Sequence, residues 1–190
     1  KMSTIPLREA LRVLVITDAR LAAPRRVTEV VRAALEGGAR SVQMRNKGDS
    51  ARALIELGRE LRSLTRDHGA LLFVNDRVDV ALAVEADGVH VGPHDLPVAA
   101  VRSMTPRGFL VGRSADDPAV ALRAVAEGAD YIGCGTVYAT TTKADAGDVI
   151  GLEGLATVAH AVPVPVVAIG GITVERAREI ALAGAGGVAV

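Results

Sequence analysis

The punctuation of this chain constrains its fold more than any other feature. One helical stretch after another ends in glycine, alone or next to Ala or Asp, and a short apolar run follows at once. Gly37-Gly38 precede residues 41–44 (SVQM), Gly69 precedes 71–74 (LLFV), and Asp87-Gly88 precede 89–91 (VHV). Gly128-Ala129-Asp130 precede 131–134 (YIGC), and Gly184-Ala185-Gly186-Gly187 precede 188–190 (VAV). Glycine just past a helix end supplies a left-handed cap. Strand–helix alternation without hairpin signals means parallel βαβ units.

Taken in order, residues 13–17 read as the first strand. A helical stripe follows at Val27, Val30, Val31, Ala34 and Leu35. Residues 41–44 are the second strand, and Leu54, Leu57, Leu61 and Leu64 mark the next helix. Strands three and four are 71–74 and 88–91, joined by a compact helix over 78–85. Helix 97–104 leads to strand 110–114. Asp116 or Asp117 caps helix 118–127, with Pro118 tolerated in its first turn. Strand 131–134 runs into a polar loop, 135–151, then helix 152–160, strand 164–169, helix 174–183 and strand 188–190. Eight strands and seven crossover helices define a (β/α)8 TIM barrel. One domain over residues 1–190 is expected, with the barrel's eighth helix lying beyond the residues of this sequence. A doubly wound sheet is the alternative, but no glycine-rich dinucleotide loop follows strand one.

A formal net charge of zero argues against a nucleic-acid surface or a polybasic membrane anchor. Aromatic residues make up only 2% of the chain, too few for base-stacking platforms. No apolar run approaches the roughly 20 residues that span a bilayer, and the N-terminal stretch lacks the apolar core of a signal peptide. With a single cysteine, no internal disulfide is expected, which fits a reducing, cytoplasmic location. The expected partners are small molecules, not nucleic acid or membrane; assembly into a homo-oligomer stays open.

Residues 73–95 concentrate the chemistry. Two apolar runs are each followed by an acid: Asp76 after the third strand, Asp95 after the fourth. In parallel strands both leave the sheet at the carboxyl edge, where α/β folds place their sites. On strand two, Gln43, Arg45 and Lys47 alternate with Val42 and Met44, so they share a face. Two cations opposite two acids suit a diphosphate held jointly by protein and Mg²⁺, which takes one or two carboxylates plus phosphate oxygens and water. Singly, each of these residues reads as well as a solvated charge or a helix cap; their convergence carries the argument. Residues 137–143 (VYATTTK) offer Thr140, Thr141, Thr142 and Lys143 as a phosphate clamp or lid. Gly170-Gly171 can present backbone amides to a phosphate or merely turn the chain. Ser114 points to the same rim and lacks the partners of a nucleophile. Cys134 reads as a buried small residue, and His90 as a hydrogen-bonded histidine inside the barrel.

With these residues in place, the chain resembles the thiamine phosphate synthase family along almost its whole length. The matching segments are LVITDARLA (14–22), VQMRNK (42–47), VNDRVDVALAVEADGVHVG (74–92), Asp95, VGRSA (111–115), GADYIGCGTVY (128–138), TTTK (140–143) and VPVVAIGGIT (164–173). The resemblance implies a transferase that joins hydroxymethylpyrimidine diphosphate to hydroxyethylthiazole phosphate with release of diphosphate. It also implies Mg²⁺ on Asp76 and Asp95. Arg45, Lys47, Asn75, Thr142 and Lys143 would hold the diphosphate, with Arg45, Lys143 and Ser114 carrying catalysis. Gln43 and Ser114 would orient the pyrimidine; Thr140 and Gly171 would contact the thiazole phosphate. Several positions depart from the family pattern: Pro93 for Gln, Asp116 for His, Thr136 and Ala139 for prolines, and Arg176 for Asn. The rivals are a thiazole tautomerase of the same superfamily and a non-catalytic paralogue that binds thiamine precursors.

Overall fold

The computed structural model describes residues 5–140 and 148–190. Eight parallel strands close into a barrel in chain order, the last pairing with the first. They are β1 (Val13–Ile16), β2 (Ser41–Met44), β3 (Leu71–Asn75), β4 (Gly88–Val91), β5 (Leu110–Ser114), β6 (Tyr131–Cys134), β7 (Val166–Ile169) and β8 (Gly187–Ala189). The fold is therefore the expected (β/α)8 barrel, and the doubly wound sheet is excluded. Two helices that the sequence reading did not anticipate come first, α1 (Leu7–Ala10) and α2 (Ala19–Ala22). The crossovers are α3 (Val27–Glu36), α4 (Ala51–Asp67), α5 (Val78–Ala83), α6 (Val98–Met104), α7 (Pro118–Ala126), α8 (Gly151–Ala161) and α9 (Ala177–Leu182).

Strand alternation sorts the apolar residues into two cores. Outward-facing Val42, Met44, Leu72, Val74, Val89, Val91, Val111, Ile132 and Cys134 meet the helices, whose Val31, Leu35, Leu54, Leu61 and Leu155 are buried against them. Each such side chain contributes about 1.5–3 kcal/mol by leaving water. Inward-facing Leu14, Leu71, Phe73, Tyr131, Val167 and Ala189 fill the lumen. Helix α1 closes the amino-terminal end of that lumen. Ala10 and Leu11 are fully buried there, and the Ser41 hydroxyl donates to the Ala10 carbonyl at 2.8 Å. A Cβ on Gly187 would lie 1.8 Å from the Leu11 carbonyl oxygen, so only glycine lets the plug seat.

The Gly-Ala punctuation has a defined job. At Gly38, Gly69, Gly128 and Gly184 the backbone turns left-handed. The next residue, Ala39, Ala70, Ala129 or Ala185, sends its N–H back to the carbonyl five residues earlier. That is a Schellman cap. At the third strand crossover the expected glycine is not the cap. Glu85 takes the left-handed turn at φ 54, and Ala86 bonds back to the Ala81 carbonyl. Gly88 instead lies in β4, where a Cβ would meet the Leu110 carbonyl oxygen at 2.3 Å. Two aspartates then brace the amino ends of the strands. Asp87 accepts from the Leu72 N–H at 2.8 Å and from Arg62 at 2.6 Å; Asp130 accepts from the Val111 N–H at 2.7 Å and pairs with Arg102.

Strand β7 and helix α9 start later than expected. Strand β7 begins at Val166, after Pro163 and Pro165, which have no N–H to give a ladder. Residues 174–176 form a turn closed by i→i+3 bonds, and α9 starts only at Ala177. Of the two cap candidates, Asp117 does the work at α7, accepting from Ala119 and Val120 N–H at 2.9 and 3.0 Å.

Candidate active site

The carboxyl edge of the barrel brings the two acids together. The backbone after β3 makes a three-residue turn, with the Arg77 N–H on the Asn75 carbonyl at 2.7 Å. This puts Asp76 at φ 63, a left-handed position that non-glycine residues rarely hold. Its N–H is fixed to the His90 carbonyl on β4 at 2.8 Å. Asp95 closes the turn after β4: its N–H bonds the Gly92 carbonyl at 3.2 Å, and its Oδ2 accepts the Gly92 N–H at 2.7 Å. Pro93 occupies the second position of that turn, the one proline favours, and its missing N–H is not needed. The departure at Pro93 is therefore compatible with this position of Asp95.

The two carboxyls are hydrogen-bonded to each other. Asp76 is pushed up from 3.8 to about 6, first by burial, then by the bond to Asp95 and by its charge; Lys47 and Arg45 pull the other way. Both cations of β2's extension thus act on Asp76, as the alternation along Gln43, Arg45 and Lys47 anticipates. The Arg45 N–H is held by the buried Thr17 hydroxyl at 2.9 Å. Asn75, at the end of β3, is half-buried beside Asp76. The donor set of two carboxylates with Arg and Lys alongside suits Mg²⁺ shared with substrate phosphate oxygens and water. Among the described residues no cluster of three or more His, Cys, Asp or Glu offers a more complete protein cage.

Below the acids a polar chain crosses the lumen. Gln43, only 3% exposed, bonds the Tyr131 hydroxyl. Tyr131 meets His90 Nδ1 at 3.0 Å, and His90 Nε2 meets the Ser114 Oγ at 2.8 Å, so Ser114 does have a histidine partner, contrary to the sequence reading, because strand order sets β4 beside β5. Burial drives the Tyr131 pKa up, so the phenol stays neutral. One order that satisfies every group has Gln43 donating to the phenol oxygen, Tyr131 donating to Nδ1 and Nε2–H donating to Ser114. A neutral imidazole has one donor and one acceptor, which this order satisfies. In that order Ser114 keeps its own proton to donate, and the Gln43 amide oxygen remains an acceptor. Glycines make the room: a Cβ on Gly112 would fall 2.1 Å from the Tyr131 ring, and one on Gly133 would fall 2.9 Å from His90.

The sequence reading placed His90 correctly and missed Tyr131, although β6 alternation turns Tyr131 inward and Cys134 outward. Cys134 is fully buried with its thiol pushed up to about 12, mainly by burial, so it forms no thiolate at neutral pH. Arg113 was also missed. It points outward from β5, donates to the Ser114 carbonyl at 2.9 Å, and lines a cavity of about 170 Å³ with Asp95. On the far rim Gly171 has φ 62 and is half-buried, and Thr140 is half-buried at the edge of the described residues. Thr142 and Lys143 lie outside the described residues.

A closed (β/α)8 barrel with an acid pair, two cations and a buried polar relay at its carboxyl edge is an enzyme barrel that works on small molecules. Residues 13–190 match the family model described as thiamine monophosphate synthase. The chain is 50% identical over 184 residues to the thiamine-phosphate synthase of Pyrococcus furiosus, covering 97% of this chain and 86% of that one. It is 52% identical over 179 residues to the thiamine-phosphate synthase of Chloroflexus aurantiacus, covering 94% and 82%. A solved structure of thiamine phosphate pyrophosphorylase from Pyrococcus furiosus matches with a TM-score of 0.88 at 48% identity, covering 97% of this chain and 87% of that one. An N-acetylmannosamine-6-phosphate 2-epimerase from Clostridium perfringens matches with a TM-score of 0.72 at 14% identity, over 98% and 90%, a likeness of fold alone. The chain belongs to the thiamine monophosphate synthase family.

Proposed function

We propose that this chain is a Mg²⁺-dependent transferase of the cytoplasm that couples hydroxymethylpyrimidine diphosphate to hydroxyethylthiazole phosphate. The observation that carries the reading is the bonded Asp76–Asp95 pair with Arg45 and Lys47 acting on it. A tautomerase has no leaving group to neutralise, and a pure binding protein has no use for paired acids. The relatives at about half identity also carry the synthase name.

In this reading Asp76 and Asp95 hold Mg²⁺, which when bound offsets the negative charge of the diphosphate. Arg45 grips phosphate oxygens as a fork, and Lys47 and Lys143 act as point charges. Asn75 and Thr142 add hydrogen bonds. Gln43 and Ser114 orient the aminopyrimidine, their directions set by Tyr131 and His90. The C–O bond to diphosphate breaks with its electron pair leaving on oxygen, aided by electron release from the aminopyrimidine ring. The thiazole nitrogen then donates its lone pair to the exocyclic carbon and becomes the thiazolium. Thr140 and Gly171 hold the thiazole phosphate during attack. No covalent enzyme intermediate is required: the protein neutralises the leaving group, aligns the partners and keeps water from the cation.

The test is an assay with both substrates and Mg²⁺, reading diphosphate release and thiamine phosphate formation. Stoichiometric formation of both supports the synthase. Tautomerisation of thiazole carboxylate phosphate without diphosphate release would assign the rival activity.

A further inference from the structure

Arg176, one of the departures from the family pattern, is built into a contact that joins two loops of the barrel mouth. Its Nη1 donates to the Gly171 carbonyl. Its guanidinium carbon lies 4.2 Å from the centre of the Tyr138 ring, a cation–π stack. The Tyr138 hydroxyl in turn donates to Glu179 in α9. The backbones are joined as well: the Tyr138 N–H bonds the Gly170 carbonyl at 3.1 Å and the Val137 N–H bonds the Ile169 carbonyl at 2.9 Å. Gly171 rests directly on the loop after β6, since a Cβ there would lie 2.8 Å from the Tyr138 Cβ and 2.9 Å from the Ala139 carbonyl oxygen.

These bonds fix the direction of two peptide units. In a trans peptide the N–H points opposite to the C=O. The Gly170 carbonyl is turned to Tyr138 and the Gly171 carbonyl to Arg176, so the N–H groups of Gly171 and Ile172 are turned away from both. Successive amides with constrained direction form an anion-binding concavity. Without Arg176, the flexible Gly170-Gly171 pair loses the bond that orients the second peptide.

We propose that Arg176 is a positioning residue for the thiazole-phosphate subsite: clasped between Tyr138 and the Gly171 carbonyl, it aims the amides after β7 at the phosphate and ties that turn to the segment after β6 that carries Tyr138. This rests on the synthase reading above. Lysine cannot substitute, because the clasp uses a planar group that both stacks and donates sideways.

Steady-state kinetics with each substrate varied in turn test the proposal. Arg176→Ala is expected to raise KM for thiazole phosphate by about tenfold, the size of one lost charged hydrogen bond, with kcat and KM for the pyrimidine diphosphate within about twofold. Arg176→Lys is expected to recover little of that loss, and Tyr138→Phe, which keeps the ring and drops the tie to Glu179, to raise the same KM about two- to threefold. If Arg176→Ala does not fold, Arg176→Lys and Tyr138→Phe carry the test. An unchanged thiazole-phosphate KM, full rescue by lysine, or parallel changes in both KM values would overturn the proposal. A wild-type protein that releases no diphosphate would overturn the synthase reading and this inference with it; wild-type turnover with insensitive variants overturns the clasp alone.

Discussion

Asp76 and Asp95 are hydrogen-bonded to each other across the ends of β3 and β4, and Arg45 and Lys47 act electrostatically on Asp76. Two carboxylates in contact do not both stay ionised unless something positive lies between them. The two strands deliver the acids by different backbone devices: a left-handed residue at φ 63 for Asp76 and a Gly92–Asp95 turn for Asp95.

Asp76→Asn and Asp95→Asn should each lower kcat/KM by about 10²–10³-fold, equivalent to about 2.7–4 kcal/mol of transition-state stabilisation. Lys143→Ala should fall in the same range. Asparagine tolerates the left-handed backbone of position 76, so the Asn variant should fold normally. Near-wild-type kcat/KM in all three would move the site elsewhere.

The raised Asp76 pKa has a consequence for stability. An acid whose folded pKa lies above its unfolded value binds its proton more tightly when native. Its contribution is complete below about 3.8 and is lost as pH rises through about 6. In the presence of a chelator and without substrate, Asp76→Asn should therefore show a flatter fall in Tm between about pH 4 and pH 7 than wild type. Parallel melting curves across that range would show that Asp76 is not perturbed.

The lumen relay makes a separate prediction. Tyr131→Phe leaves Gln43 and His90 without their shared partner, and unfolding in urea should register a loss of about 1–3 kcal/mol. Gly112→Ala should cost at least as much, because its Cβ would fall 2.1 Å from the Tyr131 ring. A Gly112→Ala protein with wild-type stability and activity would mean the ring is free to move aside.

Ion pairs of different burial should separate cleanly. The Arg62 and Asp87 side chains are 13% and 14% exposed, and Asp87 also holds the Leu72 N–H. Arg62→Ala should cost about 3–5 kcal/mol by stranding that carboxylate. Arg26→Ala, which breaks a pair with side chains 70% and 50% exposed, should cost less than about 1 kcal/mol. Equal urea midpoints for the two variants would refute the distinction.

The barrel was legible because its signals are local. Period-two strands, i, i+3, i+4 stripes and Gly-Ala caps each act over a few residues, and they repeat. The elements that escaped are those whose stability is tertiary. Helix α1 spans only Leu7–Ala10 and is held by what it plugs. The Glu85 cap replaces glycine with a residue of no turn preference. At the site, the convergence of Arg45, Lys47, Asp76 and Asp95 followed from strand order, because in a parallel barrel every strand delivers its last residues to one rim. Tyr131 was missed because an aromatic in an apolar run reads as packing; its role depends on Gln43 and His90, which are distant in sequence. The Arg176 clasp was invisible for the same reason, since it joins residues 138, 171 and 179.

A Mg²⁺ titration of diphosphate release, with both substrates present and wild type run beside Asp76→Asn, tests the central claim most directly. The account predicts saturable activation of wild type by Mg²⁺, no turnover with chelator, and loss of most of the activation in Asp76→Asn. Turnover that is indifferent to Mg²⁺, or an Asp76→Asn protein with the wild-type activation curve, would contradict it.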